Sequence, residues 1–168
     1  MDFRFTNEYP TSQLDEVVAY LLGPRLWIPQ TDYPDFGEWA ERTYQELLRG
    51  GKRAMVATAR NKEIVGVTIY QRHRKRADYL EIKNLTVRPD QRGRYLASFL
   101  LRNTEIEGSR EFGVQAVVCD AKANNVAVRW FLKKHRYHVS GRENLYNLGA
   151  GDDLVYAKDL KLSVGATR

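Results

Sequence analysis

Cysteine is nearly absent from this 168-residue chain: Cys119 stands alone. No disulfide within the chain and no cysteine cluster for zinc can form, so a reducing cytoplasm is the expected compartment. Long apolar runs are missing too. Residues 17–24 are as long a charge-free stretch as the chain contains, far short of the ~18–20 apolar residues that cross a bilayer. The opening Met1-Asp2-Phe3-Arg4 lacks the basic-then-apolar order of a signal peptide, and neither membrane insertion nor export is expected. Histidine is scarce, and His73, His135 and His138 show no ligand spacing with cysteine or carboxylates, so no metal is expected.

What is present suffices for a core. Hydrophobic residues make up 43% and aromatics 11%, which argues against disorder despite 29% charge. The length is that of one domain, expected to run over residues 1–168 with a loose tail at about 161–168. The net charge of +6 conceals an asymmetry: residues 1–50 carry four Lys/Arg against nine Asp/Glu, and residues 51–168 carry 23 against 12. A basic region of this strength favours a phosphorylated partner, whether nucleotide, cofactor or nucleic acid, and the acidic region favours a cationic one.

Periodicity gives the element order. Residues 2–6 alternate as a short strand, and Ser12 offers an N-cap ahead of Leu14, Val17, Val18, Leu21 and Leu22, which share one helical face until Gly23-Pro24. Pro24, Pro29 and Pro34 among Trp27, Ile28, Tyr33 and Phe36 read as an ordered loop lining a site. Phe36, Trp39, Ala40, Tyr44, Leu47 and Leu48 resume helical spacing, and residues 54–59 and 63–70 form a hairpin turning at Asn61-Lys62. A basic tip, Arg72-His73-Arg74-Lys75-Arg76, leads into a strand over 79–87. The order then changes: Leu96, Phe99, Leu100 and Ile106 mark a helix, 114–119 a buried strand, and Val126, Ala127, Trp130 and Phe131 a further helix, which implies a parallel crossover. Strands over 137–140 and 154–158 finish the chain around a Gly149-Ala150-Gly151-Asp152 turn, too short for a dinucleotide fingerprint.

The most informative stretch runs from Leu85 to Ser98, a strand passing through Arg92-Gly93-Arg94-Tyr95 into the start of an apolar helix. Free amides at such a helix N-terminus, aided by the dipole and by Arg92 and Arg94, can hold a pyrophosphate. Bonds to charged oxygens contribute about 1.5–3 kcal/mol each. The same residues also read as a solvated basic connection between strand and helix.

These residues resemble the GNAT superfamily of acetyl-CoA-dependent N-acetyltransferases, over roughly residues 3–160. The family's Gln/Arg-x-x-Gly-x-Gly/Ala pattern falls on Arg92-Gly93-Arg94-Tyr95-Leu96-Ala97, with Tyr95 where a glycine is usual. Its Asn-x-x-Ala signature followed by paired aromatics resembles Asn124-Asn125-Val126-Ala127-Val128-Arg129-Trp130-Phe131. The resemblance implies an α/β fold with a mixed, mostly antiparallel central sheet flanked by helices, its fourth and fifth strands parallel and splayed. It also implies acetyl-CoA as co-substrate, with backbone amides of Val87 and of Arg92, Gly93, Arg94, Tyr95, Leu96 and Ala97 holding pantetheine and pyrophosphate. Ser98 would cap a phosphate, Asn124 would bond the pantetheine arm and Phe131 would flank the cofactor. The Val87 amide would polarise the acetyl carbonyl.

Amine acetylation needs a base, because an ammonium has no lone pair to attack with. Glu81 stands eleven residues before Arg92, where some relatives place a catalytic glutamate; its other reading is an ion pair with Lys83 or a hairpin cation. An even separation from Leu85 and Val87 puts Glu81 on their face of a regular strand. Many relatives protonate the departing thiolate with a tyrosine, and Phe131 occupies that position. Tyr137 and Tyr146 are the possible substitutes, and Cys119 reads as an inert core thiol. The expected partners are acetyl-CoA and an amine acceptor entering between the Pro-rich loop and the hairpin, with a second copy of this chain left open. RNA is a further candidate, held by Arg72, Arg74, Lys75 and Arg76 with the basic stretch 129–142. The other class of reading is a non-catalytic acyl-CoA sensor or RNA-binding module on the same scaffold.

Overall fold

A computed structural model describes residues 2–23, 34–145 and 152–160. Seven strands, β1 (Arg4–Thr6), β2 (Arg53–Thr58), β3 (Ile64–Arg72), β4 (Tyr79–Val87), β5 (Ala116–Lys122), β6 (His138–Glu143) and β7 (Asp153–Asp159), form one sheet in the order β1-β2-β3-β4-β5-β7-β6. Every neighbouring pair is antiparallel except β4 and β5. Helices α1 (Leu14–Leu22) and α2 (Phe36–Leu48) come between β1 and β2. Helix α3 (Leu96–Phe112) makes the crossover from β4 to β5, and α4 (Val126–Lys134) follows β5. None of the described helices is long and apolar enough to cross a membrane.

The central strands are buried on both faces, which explains why their sequences are so apolar. In β2, Ala54 and Val56 pack with Leu14, Val17 and Leu21 of α1 and Leu47 of α2, while Met55 and Ala57 belong to the core beneath α3. That second core takes in Leu96, Leu100 and Leu101 of α3, Leu132 of α4 and Leu80, Ile82 and Val87 of β4. Gly108 sets how closely α3 lies on β4, because a Cβ there would stand 2.6 Å from the Leu80 side chain.

Three expectations are corrected. The first turn before α1 is a 3-10 turn over Thr11–Gln13, so Ser12 lies inside it and Gln13 takes the N-cap position without a side-chain cap bond. The buried face of α3 is not the one marked by Phe99 and Ile106, which are 55% and 45% exposed. Leu101, Thr104 and Glu105 are buried instead. Finally, β4 is not a regular strand: Ile69 faces Asn84 and Tyr70 faces Ile82, so Lys83 is an extra residue opposite β3. The bulge inverts the alternation beyond it. Leu80, Ile82, Leu85 and Val87 all meet the α3 core, whereas Glu81 pairs with Gln71 on the α1/α2 face and not on the face of Leu85 and Val87.

The Pro-rich loop at 24–33, Tyr146, Gly149-Ala150-Gly151 and the tail at 161–168 lie outside the described residues.

Candidate active site

Strands β4 and β5 pair only from Tyr79 with Ala116 to Ile82 with Cys119, yet β4 continues to Val87 and β5 to Lys122. The two parallel strands part where each has residues left, which opens a gap at their C-terminal ends. The direction of the β4 amides follows from register. Arg88 N donates to Val65 O at 2.9 Å, one step beyond the Gly66 and Val87 pair, which makes that pair the non-hydrogen-bonded kind. The N–H and C=O of Val87 therefore point away from β3, toward the side that β5 has left. Consistent with this, Val87 O accepts a bond from Arg92 Nε at 3.2 Å.

The chain reaches α3 through a 3-10 turn over Pro89–Gln91. Gly93 at φ 77° and Tyr95 at φ 61° both adopt the left-handed region, and Tyr95 takes there the conformation that a glycine adopts without cost. Phe99 N to Tyr95 O, 3.0 Å, is the first bond of the helical ladder. The amides of Leu96, Ala97 and Ser98 precede that bond and have no partner within the helix, and no side chain caps it. The Arg92 amide departs from expectation: it donates to Pro89 O at 3.2 Å within the turn, and its guanidinium holds Val87 O. Arg94 contacts Gln91 Oε1 at 3.1 Å.

Helix α4, which follows β5, meets the first turn of α3 at its C-terminal end. Asn124 is exposed just ahead of it, and Asn125, not Asn124, is the cap, accepting from Val128 N at 3.2 Å. Phe131 is half-buried, its ring 4.6 Å from that of His135. The Ser98 hydroxyl stands 2.9 Å from His135 Nε2, bridging the first turn of α3 to the end of α4. Burial, with the Lys158 and Lys134 charges, lowers the His135 pKa against the pull of Glu105. The sequence reading weighed His135 only as a metal ligand; its one signal was the i, i+4 spacing from Phe131 on a helix.

Glu81 is half-buried and both of its oxygens are engaged: Gln71 Nε2 donates at 2.7 Å and Lys83 Nζ at 3.0 Å. Burial pushes its pKa up, but the Lys83 charge and the bonds from Lys83 and Gln71 outweigh it and hold the carboxyl below its ordinary value. Tyr137 is buried with its hydroxyl donating to Glu105 Oε1 at 2.9 Å, and burial pushes its pKa well up. Burial likewise raises the Cys119 thiol. A cavity of about 740 Å³ opens at the end of β4, lined by Glu16 and Tyr20 of α1, Gly23, the hairpin residues Asn61, Lys62, Glu63 and Ile64, and Arg88 and Asp90. Tyr20 OH bonds Val65 O and Thr86 O at 3.2 and 3.3 Å, tying α1 to β3 and β4.

Most of the basic tip is engaged within the protein. Arg72 bonds Phe112 O, Arg74 pairs with Glu46 at 2.9 Å, and the Arg76 guanidinium lies 3.3 Å over the Tyr79 ring.

The acetyltransferase (GNAT) family profile matches residues 22–136. No curated protein matches the chain. Among solved structures, the ribosomal-protein-S18-alanine N-acetyltransferase of Escherichia coli is 20% identical, with 99% of each chain covered and a TM-score of 0.71. The spermidine/spermine N-acetyltransferase SpeG of Vibrio cholerae is 10% identical over 94% of this chain and 95% of that one, with a TM-score of 0.68. A Bacillus anthracis structure in complex with acetyl coenzyme A is 17% identical over 65% of this chain and 62% of its own, with a TM-score of 0.57. At these identities the likeness is one of fold.

Proposed function

The chain belongs to the acetyltransferase (GNAT) family of acyltransferases, which use acetyl-CoA, and from that premise we propose that it transfers the acetyl group to a primary amine by direct attack. The observation that carries this reading is the parting of β4 from β5 beside the uncapped N-terminus of α3. A narrow acyl arm fits the first, and a pyrophosphate fits the second.

Acetyl-CoA supplies the thioester carbon that a neutral amine attacks, with CoA leaving as its thiolate. The residues divide the remaining work. The Val87 N–H, aimed into the gap, donates to the acetyl oxygen as negative charge builds there. The amides of Gly93, Arg94, Tyr95, Leu96 and Ala97 and the Ser98 hydroxyl hold the pyrophosphate, and Asn124 and Phe131 flank the arm. Arg92 orients the end of β4 through Val87 O. The acceptor enters through the cavity beside Glu16, Glu63 and Asp90, whose three carboxylates outnumber the cations Lys62 and Arg88 and suit an ammonium. Glu81, ionised at neutral pH, takes the proton through water, since its depressed pKa makes it a weak direct base. Phe131 has no proton to give. A thiol with pKa ~8.5 leaves as the thiolate and is protonated by solvent.

The left-handed Tyr95 supports a working loop, because the residue that replaces the usual glycine keeps a glycine-like backbone. The engaged arginines of the basic tip give the RNA reading no comparable support. The test is thiol release from acetyl-CoA with a panel of polyamines, free lysine, peptides with free N-termini and aminoacyl-tRNA. Release above hydrolysis with one class identifies the acceptor. Release with none, although acetyl-CoA binds, would return the chain to an acyl-CoA-binding role.

A further inference from the structure

His135 has no part in the chemistry above, yet it touches a residue that has. It follows Lys134 at the C-terminal end of α4 and is half-buried. Its ring lies 4.6 Å from that of Phe131, and its Nε2 stands 2.9 Å from Ser98 Oγ in the first turn of α3. A serine hydroxyl has one proton to donate. While Nε2 is bare, that proton goes to the ring and the hydroxyl turns only lone pairs toward an anion in front of the helix. With a proton on Nε2 the ring donates instead, and the Ser98 O–H is free for the anion. A neutral imidazole has one N–H for two nitrogens, whereas the imidazolium carries a proton on both, so protonation fixes the direction of the bond.

Four elements set the protonation state. Burial and the charges of Lys158 on β7 and Lys134 on α4 disfavour the imidazolium, and Glu105 on α3, itself bonded to Lys158, favours it. The balance lowers the pKa, so the ring is neutral at pH 7 in the free protein. The free carbonyls that end α4 pull the other way, and a pyrophosphate at the first turn of α3 adds negative charge on the same side.

From this contact we propose that His135 is a positioning residue that, when protonated at Nε2, turns the Ser98 hydroxyl toward the ligand, so that CoA binding takes up a proton from solvent and tightens as pH falls. The inference rests on the acetyl-CoA reading, which seats a pyrophosphate at this turn, and deepens it with a proton-linked control of affinity. The sign follows from linkage. The imidazole holds its proton more tightly in the complex than in the free protein, so affinity is weakest above the pKa of the complex. It rises as pH falls through that value and levels off below the pKa of the free protein.

Calorimetric titration of wild type, His135→Gln and Ser98→Ala with 3′-dephospho-CoA between pH 7.5 and 5.5 tests this. That ligand lacks the phosphomonoester, whose own second pKa of about 6 would titrate in the same range. Wild type should bind roughly 10-fold more tightly at the acid end and take up a proton, read as an observed enthalpy that varies with the ionisation heat of the buffer. His135→Gln, which offers an amide but cannot titrate, should bind with one affinity across the range. Ser98→Ala should lose most of the acid gain. A Ser98→Ala variant that keeps the whole gain would show His135 acting by charge alone and overturns the positioning role, as does an equal pH dependence in wild type and His135→Gln. NMR titration of the wild-type imidazole, free and saturated with dephospho-CoA, needs no variant: its pKa should rise in the complex, and a pKa that does not move overturns the proposal. Wild type that binds dephospho-CoA at no pH overturns the acetyl-CoA reading itself, and the role of His135 with it.

Discussion

Replacing Glu105 by Gln is the sharpest test of how α3, and with it the loop proposed to hold the pyrophosphate, is held on the sheet. Glu105 is 2% exposed in the middle of α3. It accepts from Tyr137 OH at 2.9 Å and from Lys158 Nζ of β7 at 2.7 and 2.8 Å. Gln keeps the volume and removes the charge, so the change leaves the Lys158 ammonium facing a neutral amide. Removing one partner of a buried pair costs about 3–5 kcal/mol, and Lys158, whose side chain is 17% exposed, gains some water, so the lower end of about 3 kcal/mol applies. For a chain of this length that lowers the melting temperature by roughly 6–12 °C. Tyr137→Phe, which removes one bond to the carboxylate, should cost about 1.5–3 kcal/mol. Urea denaturation reads both, as a shift in midpoint at constant slope. A loss under about 1 kcal/mol in Glu105→Gln would mean that Lys158 reaches water and that the cluster does not anchor α3.

Glu81→Gln should lower turnover roughly 10²-fold at pH 7 and recover partly as pH rises and free amine accumulates. An unchanged rate in the folded variant would leave the carboxylate with only its ion pair to Lys83. The same residue predicts an acid sensitivity. Its folded pKa lies below the ordinary value, so its stabilisation is complete above the unfolded carboxylate pKa and fades as pH falls through the folded one; denaturation from pH 7 to 3 should show less of that loss in Glu81→Gln. Gly93 has open space around it at φ 77°, so Gly93→Ala should bind acetyl-CoA more weakly through backbone strain alone. Gly93→Glu should abolish binding by adding like charge beside the pyrophosphate, and equal affinities in the two variants would show that charge is irrelevant there. Replacing Arg74 and Lys75 by Ala should leave the salt dependence of tRNA binding unchanged, since Arg74 is held by Glu46; a flattened dependence would revive the RNA reading.

Long-range order was legible where one period ran unbroken. The hairpin of β2 and β3 turned where Asn61-Lys62 said it would, and the β4-α3-β5 crossover followed from the change in periodicity. Legibility failed where tertiary contacts overrode local pattern. Glu105 went unmarked, because its partners Tyr137 and Lys158 are 32 and 53 residues away. One extra residue at Lys83 reversed which face Glu81 shares, and a two-residue period carries no sign of such a bulge. Steric preference argued against positive φ at Tyr95, yet the turn from Pro89 into α3 sets it at 61°. Of the proposed site, the loop before α3 and the Asn124 region were marked by residue type. The parting of β4 from β5 was not, since it depends on where pairing stops and no residue announces that. His135 was missed because its meaning comes from Ser98 on another helix.

The central claim is that acetyl-CoA lies in the gap between β4 and β5, with its pyrophosphate on the first turn of α3. The most direct measurement is the melting temperature of the wild-type protein titrated with acetyl-CoA. Binding to the folded state alone adds about 2.7 kcal/mol at a hundredfold excess over Kd, which should raise the melting temperature by roughly 5–11 °C. A melting temperature that does not move at saturating acetyl-CoA would contradict the account.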